Sequence, residues 1–307
     1  MDGLFLAFSN SLTALALCIS MGFACRRWKL INDVHMTGMS VLLVKIGIPC
    51  TVFIAMMQPF SRTLMLESMA TFAITGIIYI LGGYLGLLVA RLMKVPSGVK
   101  ECWQFGCAFS NVGFLGIPVV LAVFGPDGLI YVAMAAASFN ILSFTWGVRM
   151  FSNAPREMNI IKVMRSNPAI PATIIGFILF ATELRLPGPM ENGIALIHGM
   201  TTPLSMILIG AILGKQRLKD SFMDLRLLPP TATRLIIIPL ATLFILRWFI
   251  PNPLMLSVIV TMMAMPPAAS TAIFAELYNG DMVSAAKFVV VPTVLCAITV
   301  PLIALLL

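Results

Sequence analysis

The sequence predicts an all-α polytopic membrane protein, built as ten transmembrane helices in two inverted five-helix repeats. Three observations carry that expectation. The 307 residues are 60% hydrophobic and only 10% charged, with a mean hydropathy of +1.01. A soluble domain is about one quarter charged, so a soluble enzyme is excluded at this step. Apolar runs long enough to cross a bilayer follow one another along the whole chain. The chain also matches itself at a fixed offset, with interruptions of the apolar runs at corresponding places.

Ten spans are read at roughly 4–24, 35–57, 67–92, 101–124, 127–151, 168–186, 192–214, 230–250, 253–277 and 281–306. The opening Met1-Asp2-Gly3-Leu4 carries no basic stretch before its apolar run. That is unlike a cleaved signal peptide, and the run is read as the first span. The loops after spans one, three, five and seven hold fourteen Lys and Arg residues, from Arg26 to Arg226, whereas those after spans two, four, six and eight hold only Arg62, Arg185 and Arg247. Basic loops stay on the cytoplasmic side, which predicts a multi-pass protein of the cell (inner) membrane with both termini outside. The same loops account for the net charge of +8 without nucleic acid as a partner. Ser152 to Asn167 is the longest soluble piece. It reads as a basic connector, and its Met158–Met164 stretch suits either a membrane-surface helix or a solvated linker. The division is therefore 1–151, first repeat; 152–167, cytoplasmic connector; 168–307, second repeat.

The repeat has an offset of 154 positions. It lays Pro49 on Pro203, Phe124-Gly125-Pro126-Asp127 on Tyr278-Asn279-Gly280-Asp281, and the fourth span on the ninth. Five spans is an odd number, so the two copies have opposite topology. Both the fourth and ninth spans are interrupted, by Ser110-Asn111-Val112-Gly113-Phe114-Leu115-Gly116-Ile117-Pro118 and by Ala264-Met265-Pro266-Pro267-Ala268-Ala269-Ser270. Proline removes a donor and strikes the preceding turn, while glycine eases non-helical angles. Broken helices at membrane depth occur where backbone is buried in protein or lines a wet cavity. Paired breaks in inverted repeats point to a midplane binding site.

Asn111-Val112-Gly113-Phe114-Leu115-Gly116-Ile117-Pro118 resembles the Asn-x-x-x-x-Gly-x-Pro signature of the auxin efflux carrier family. Ala264-Met265-Pro266 and Ile273–Asn279 are similar to that family's ninth-helix segment. The resemblance covers essentially the whole chain. It implies broken helices four and nine crossing at their breaks, and secondary transport of organic anions: auxin in the plant PIN-FORMED exporters, malate or malonate in bacterial members. The chain departs from the plant exporters in lacking their long loop between helices five and six, which suggests a bacterial-type member. It also has Pro267 where they tend to have Gln.

Asn111 is the first candidate for substrate contact, since its amide offers donors to a carboxylate and an acceptor besides; satisfying backbone freed by the break is the other role open to it. Ser110 and Ser270 flank the breaks. Gly113, Pro118, Pro266 and Pro267 create them, and the half-helices beyond present electropositive ends to an anion. Lys45, about ten residues into the second span, reads as the cation placed well inside the membrane, facing the bundle interior or a cavity. It serves as a countercharge or as a packing ion pair. Asn140 and Ser138 either line a cavity or bond a neighbouring helix. Lys287 is expected to reach the surface, and His35 and His198 to be surface residues near span ends. The twelve acidic residues fall at span ends or in loops, so the crossing is electropositive and favours an anion over Na⁺ or H⁺. Gly82-xxx-Gly86 and Gly210-xxx-Gly214 are close-packing motifs, and the six cysteines are packing residues with no CxxC pair.

The function expected is therefore a secondary transporter of small organic anions that rocks a crossing-helix bundle against a scaffold. The alternative is a non-transporting sensor or structural subunit with the same fold. No nucleophile–base pair or HExxH motif suggests an enzyme, and no cofactor is called for. The partners are the anion and the lipid bilayer, with a homodimer left open.

Overall fold

A computed structural model describes residues 2–151, 168–215, 218–278 and 280–307, with side chains from residue 13 onward except at 218–219. The connector at 152–167 and Asn279, both used in the sequence argument, lie outside the described residues. In chain order the helices are α1 (Asp2–Arg27), α2 (Asp33–Leu42), α3 (Ile48–Ala55), α4 (Arg62–Leu92), α5 (Ser97–Ala108), α6 (Ile117–Phe124), α7 (Leu129–Leu142), α8 (Ala169–Thr182), α9 (Gly188–Lys215), α10 (Leu218–Phe222), α11 (Leu228–Ala232), α12 (Ile238–Leu246), α13 (Pro253–Ala264), α14 (Ser270–Leu277) and α15 (Met282–Ala304). No strand occurs among the described residues. Six helical segments there are long and apolar enough to cross a membrane: Asp33–Ala55, Arg62–Leu92, Pro126–Met150, Gly188–Lys215, Leu225–Leu246 and Met282–Ala304. Val112–Phe124, Ala169–Thr182 and Pro253–Ala264 are shorter apolar helices. The described residues are thus nearly all helical, and the chain is a multi-pass membrane protein.

Proline explains most of the irregular turns. Turns of π-helix occur at Leu43–Gly47, Val112–Gly116, Ser143–Gly147 and Thr233–Ile237. Three of them run directly into an Ile-Pro pair: Ile48-Pro49, Ile117-Pro118 and Ile238-Pro239. A proline ring collides with the carbonyl four residues back, and the wider π-turn moves that carbonyl aside. Pro203, the repeat mate of Pro49, sits inside an uninterrupted α9 instead. The two repeats therefore treat their matched prolines differently.

The chain packs as two compact units, each drawing on both halves of the sequence. The first comprises Met1–Phe72, Gly113–Ala137 and Ile161–Gln216. Its spine is the pair α1 and α9. A Cβ added at Gly22 would run into the Ile207 carbonyl, and one added at Gly210 into the Ile19 carbonyl, so the glycines allow backbone-to-backbone contact. At Gly214 the added carbon would lie 2.8 Å from the Arg26 Cβ, which extends the predicted Gly210-xxx-Gly214 contact by one turn. Small residues serve this purpose in lipid, where burial of apolar surface gives helices no reason to associate. At one end of this pair Asp33 accepts from Arg26 (2.6 Å) and Lys215 (3.2 Å).

The second unit comprises Ala73–Val112, Ser138–Ile160 and Arg217–Leu307. In it the other predicted motif places α4 against α5: Cβ atoms at Gly82 and Gly86 would lie 2.8 Å from the carbonyls of Cys107 and Trp103. An aromatic cluster fills the space beside α5. Phe105 and Phe109 have ring centroids 4.7 Å apart, and Tyr79, Phe139, Trp146, Phe151 and Phe274 join them at 5.2–6.2 Å. Rigid aromatic contacts of this kind hold α5 in one position, and α5 leads into the break.

Candidate functional site

Both interrupted spans turn extended at the same place in the second unit. Helix α5 stops at Ala108, and Phe109 takes φ −108°, ψ 116°. Helix α13 stops at Ala264, and Met265 takes φ −66°, ψ 147°. The two extended stretches run antiparallel and pair as a single β-bridge, Ser110 opposite Pro267. The Asn111 amide donates to the Pro266 carbonyl at 2.8 Å, and the Ala268 amide to the Phe109 carbonyl at 2.9 Å. Backbone freed from a helix in an apolar environment must find other partners; here each break supplies them to the other. Pro266 and Pro267 suit the place because neither has an amide hydrogen to leave unsatisfied. Tight packing adds to the fit, since a Cβ at Gly106 would lie 3.2 Å from Pro267 and 2.6 Å from the Phe288 ring.

The amides at the half-helix starts are partly used locally. Val112 donates to the Ser110 carbonyl (2.8 Å), Thr271 to Ala268 (3.0 Å) and Ala272 to Ala269 (3.2 Å). What these starts offer an anion is chiefly the dipole of the following helix. The hydroxyls of Ser270 and Thr271 at the start of α14 are buried, with no hydrogen-bond partner among the described residues.

The structure thus brings together Ser110, Asn111, Pro266, Pro267 and Ser270. Ser110 is fully buried and Asn111 is 6% exposed. Asn140, also buried, belongs to the same unit through α7, as does Ser138, which packs against Gly76 of α4. Gly113, Pro118 and Lys45 belong to the first unit. Gly113 there faces the tip of Ile48, and Pro118 is the second residue of α6. Lys45 lies in the π-turn before Pro49 and is exposed. Lys287 is half-buried and pairs with Asp224 at 3.3 Å.

The deeply placed cation is a different residue. Arg234, in the π-turn at Thr233–Ile237, is completely buried. Its Nε donates to the Met265 carbonyl and its Nη1 to the Cys107 carbonyl, both at 3.0 Å. One guanidinium therefore reaches both breaks. Sequence reasoning missed it because Arg234 stands near the start of an apolar run, where a basic residue reads as a boundary. An ionisable residue inside a span is by default a functional candidate, and that rule applied to Arg234 as much as to Lys45. His198 also corrects an expectation: it is half-buried, with Nδ1 3.0 Å from the Thr51 hydroxyl. Thr51 in turn lies 3.2 Å from the Thr201 hydroxyl and donates to the Gly47 carbonyl. The ring is part of a polar link between α3 and α9, whereas His35 is a surface residue in the cap of α2.

A family model described as membrane transport protein matches residues 7–166 and again residues 155–304. The chain belongs to this membrane transport family, the one to which the auxin efflux carriers are similar. It is 25% identical to an uncharacterized transporter of Methanocaldococcus jannaschii, over 92% of this chain and 94% of the relative. An uncharacterized transporter of Methanothermobacter thermautotrophicus is 22% identical, over 97% and 98%. These matches cover the fourth- and ninth-span breaks alike.

Proposed function

We propose that this transporter carries small organic anions, carboxylates or auxin-like acids, by alternating access, with the anion bound beside the crossed breaks. The observation behind this reading is the bridge of Ser110 to Pro267, formed between two interrupted helices in the buried interior of the second unit. Two destabilised helices meeting there give a purely structural bundle no advantage. The charge balance supports an anion: the crossing holds a buried arginine, and among the described residues no salt bridge involves it. Asn111 donates to the carboxylate, with Ser110 and Ser270 beside it and the half-helix dipoles behind them. In this reading the chain forms ten spans in two inverted repeats, with both termini outside the cell membrane.

Counterflow of labelled mono- and dicarboxylates in proteoliposomes tests the reading. Uptake of at least one acid against unlabelled internal acid is expected; no exchange of any of them in folded protein favours the sensor or structural alternative. Lys45→Gln is expected to weaken uptake while the folded protein remains in the membrane, as loss of a countercharge would; a fall in thermal stability along with uptake marks a packing role instead. Unchanged apparent affinity would remove it from the site. The orientation is tested by single cysteines at two exposed positions, Arg226 and Pro187. In intact cells an impermeant thiol reagent should label Pro187→Cys and spare Arg226→Cys; the opposite pattern inverts the topology.

A further inference from the structure

The breaks of α5 and α13 leave two helix C-termini inside the apolar interior of the second unit. The last carbonyls of a helix have no intrahelical donor, and each C-terminus carries the equivalent of about −0.5 elementary charge. Two such ends meeting together call for roughly one positive charge. In carriers built on broken helices, half-helix C-termini and unwound carbonyls are where a coupling cation is coordinated. In this chain the Cys107 and Met265 carbonyls, one from each break, are both taken by Arg234.

We infer that Arg234 is the resident cation of the crossing, occupying with its guanidinium the place a mobile cation would otherwise take. The anion of the proposed function, on which this inference rests, is then carried with no Na⁺ bound there. A structural strut is a poor account of this residue. Burying a charge costs several kcal/mol even after relaxation, and a neutral amide could donate to the same two carbonyls. The Nη2 group, wholly buried, has no hydrogen-bond partner among the described residues, so the fork is not used to its structural capacity. The repeat strengthens the case: the position 154 residues earlier is Ile80. A single cation serves both breaks, as a single bound ion would.

The test compares purified wild type with Arg234→Ala, Arg234→Gln and Arg234→Lys, in Na⁺ and in choline at equal ionic strength. Wild-type counterflow of the transported carboxylate should be the same in both salts. Arg234→Ala should lose about tenfold or more in choline and recover with millimolar guanidinium, which refills the vacated place. Arg234→Lys should retain uptake in choline at a reduced rate. A structural strut would not make uptake depend on an added cation. Wild-type uptake that requires Na⁺ overturns the inference. So does Arg234→Gln with wild-type uptake in choline. So, too, does loss in Arg234→Lys together with no rescue of Arg234→Ala. Should the Ala and Gln variants not fold, activity of Arg234→Lys without Na⁺ supports the inference and its inactivity counts against it. Thermal unfolding keeps this separate from the anion reading: guanidinium should raise the midpoint of Arg234→Ala and leave wild type unmoved, whether or not any acid in the panel is carried.

Discussion

Asn111→Ala is expected to weaken binding of the transported carboxylate by about 10- to 150-fold. A hydrogen bond to a charged group contributes about 1.5–3 kcal/mol, and each 1.4 kcal/mol is a decade of affinity. Asn111→Asp should be weaker still, because it sets a negative charge beside the anion. The geometry of the bridge makes this comparison clean. The Asn111 main-chain amide bonds the Pro266 carbonyl at 2.8 Å, and neither substitution removes that bond. The backbone bridge is therefore kept in both variants, and binding is compared on folded protein. Equilibrium binding of the labelled acid to purified protein decides the matter. Asp binding the acid as well as Asn would mean that the side chain does not face it.

The second large effect is expected in the first unit, at Gly210. A methyl group there meets the Ile19 carbonyl, which is backbone and cannot rotate away. Overpacking a tight contact costs about 1–3 kcal/mol; forcing α1 and α9 apart places Gly210→Ala at the upper end of that range and Gly210→Leu beyond it. The same helix supplies the control. A Cβ at Gly193 meets nothing within 4 Å, so Gly193→Ala should instead stabilise, by up to about 1 kcal/mol of helix propensity. Thermal unfolding of the two alanine variants should move in opposite directions. A shared direction would mean that the α1–α9 contact is not what holds this unit.

Hydropathy, prolines and glycines made much of this legible before any coordinates. Apolar runs must be helical in lipid, so the helices could be read from composition alone. The ninth-span break showed because Pro266 and Pro267 cannot continue a helix undisturbed, whereas Pro118 makes only the π-turn beyond the fourth-span break, which lies at Phe109–Asn111; the Gly82 and Gly210 motifs marked where backbones touch. What the sequence hid was three-dimensional. A proline announces that backbone groups are freed but not who accepts them, so the pairing of Ser110 with Pro267 had to be seen. Arg234 stayed hidden because linear position does not distinguish a residue at a membrane boundary from one turned inward. Pro203 matches Pro49 in register, as the offset has it, yet its helix runs through where the chain before Pro49 takes a π-turn.

Ser270 gives access to the central claim, because it stands at the start of α14 beside the bridge with its hydroxyl buried, so that a thiol there is alkylated only as the site opens during transport. With the six native cysteines replaced, Ser270→Cys in a variant that retains counterflow can be alkylated with N-ethylmaleimide while the transported carboxylate is titrated. The account predicts slower alkylation as the acid is added, with half-protection at the concentration that half-saturates binding. An alkylation rate indifferent to saturating acid, in protein that still exchanges it, would contradict a binding site at the crossed breaks.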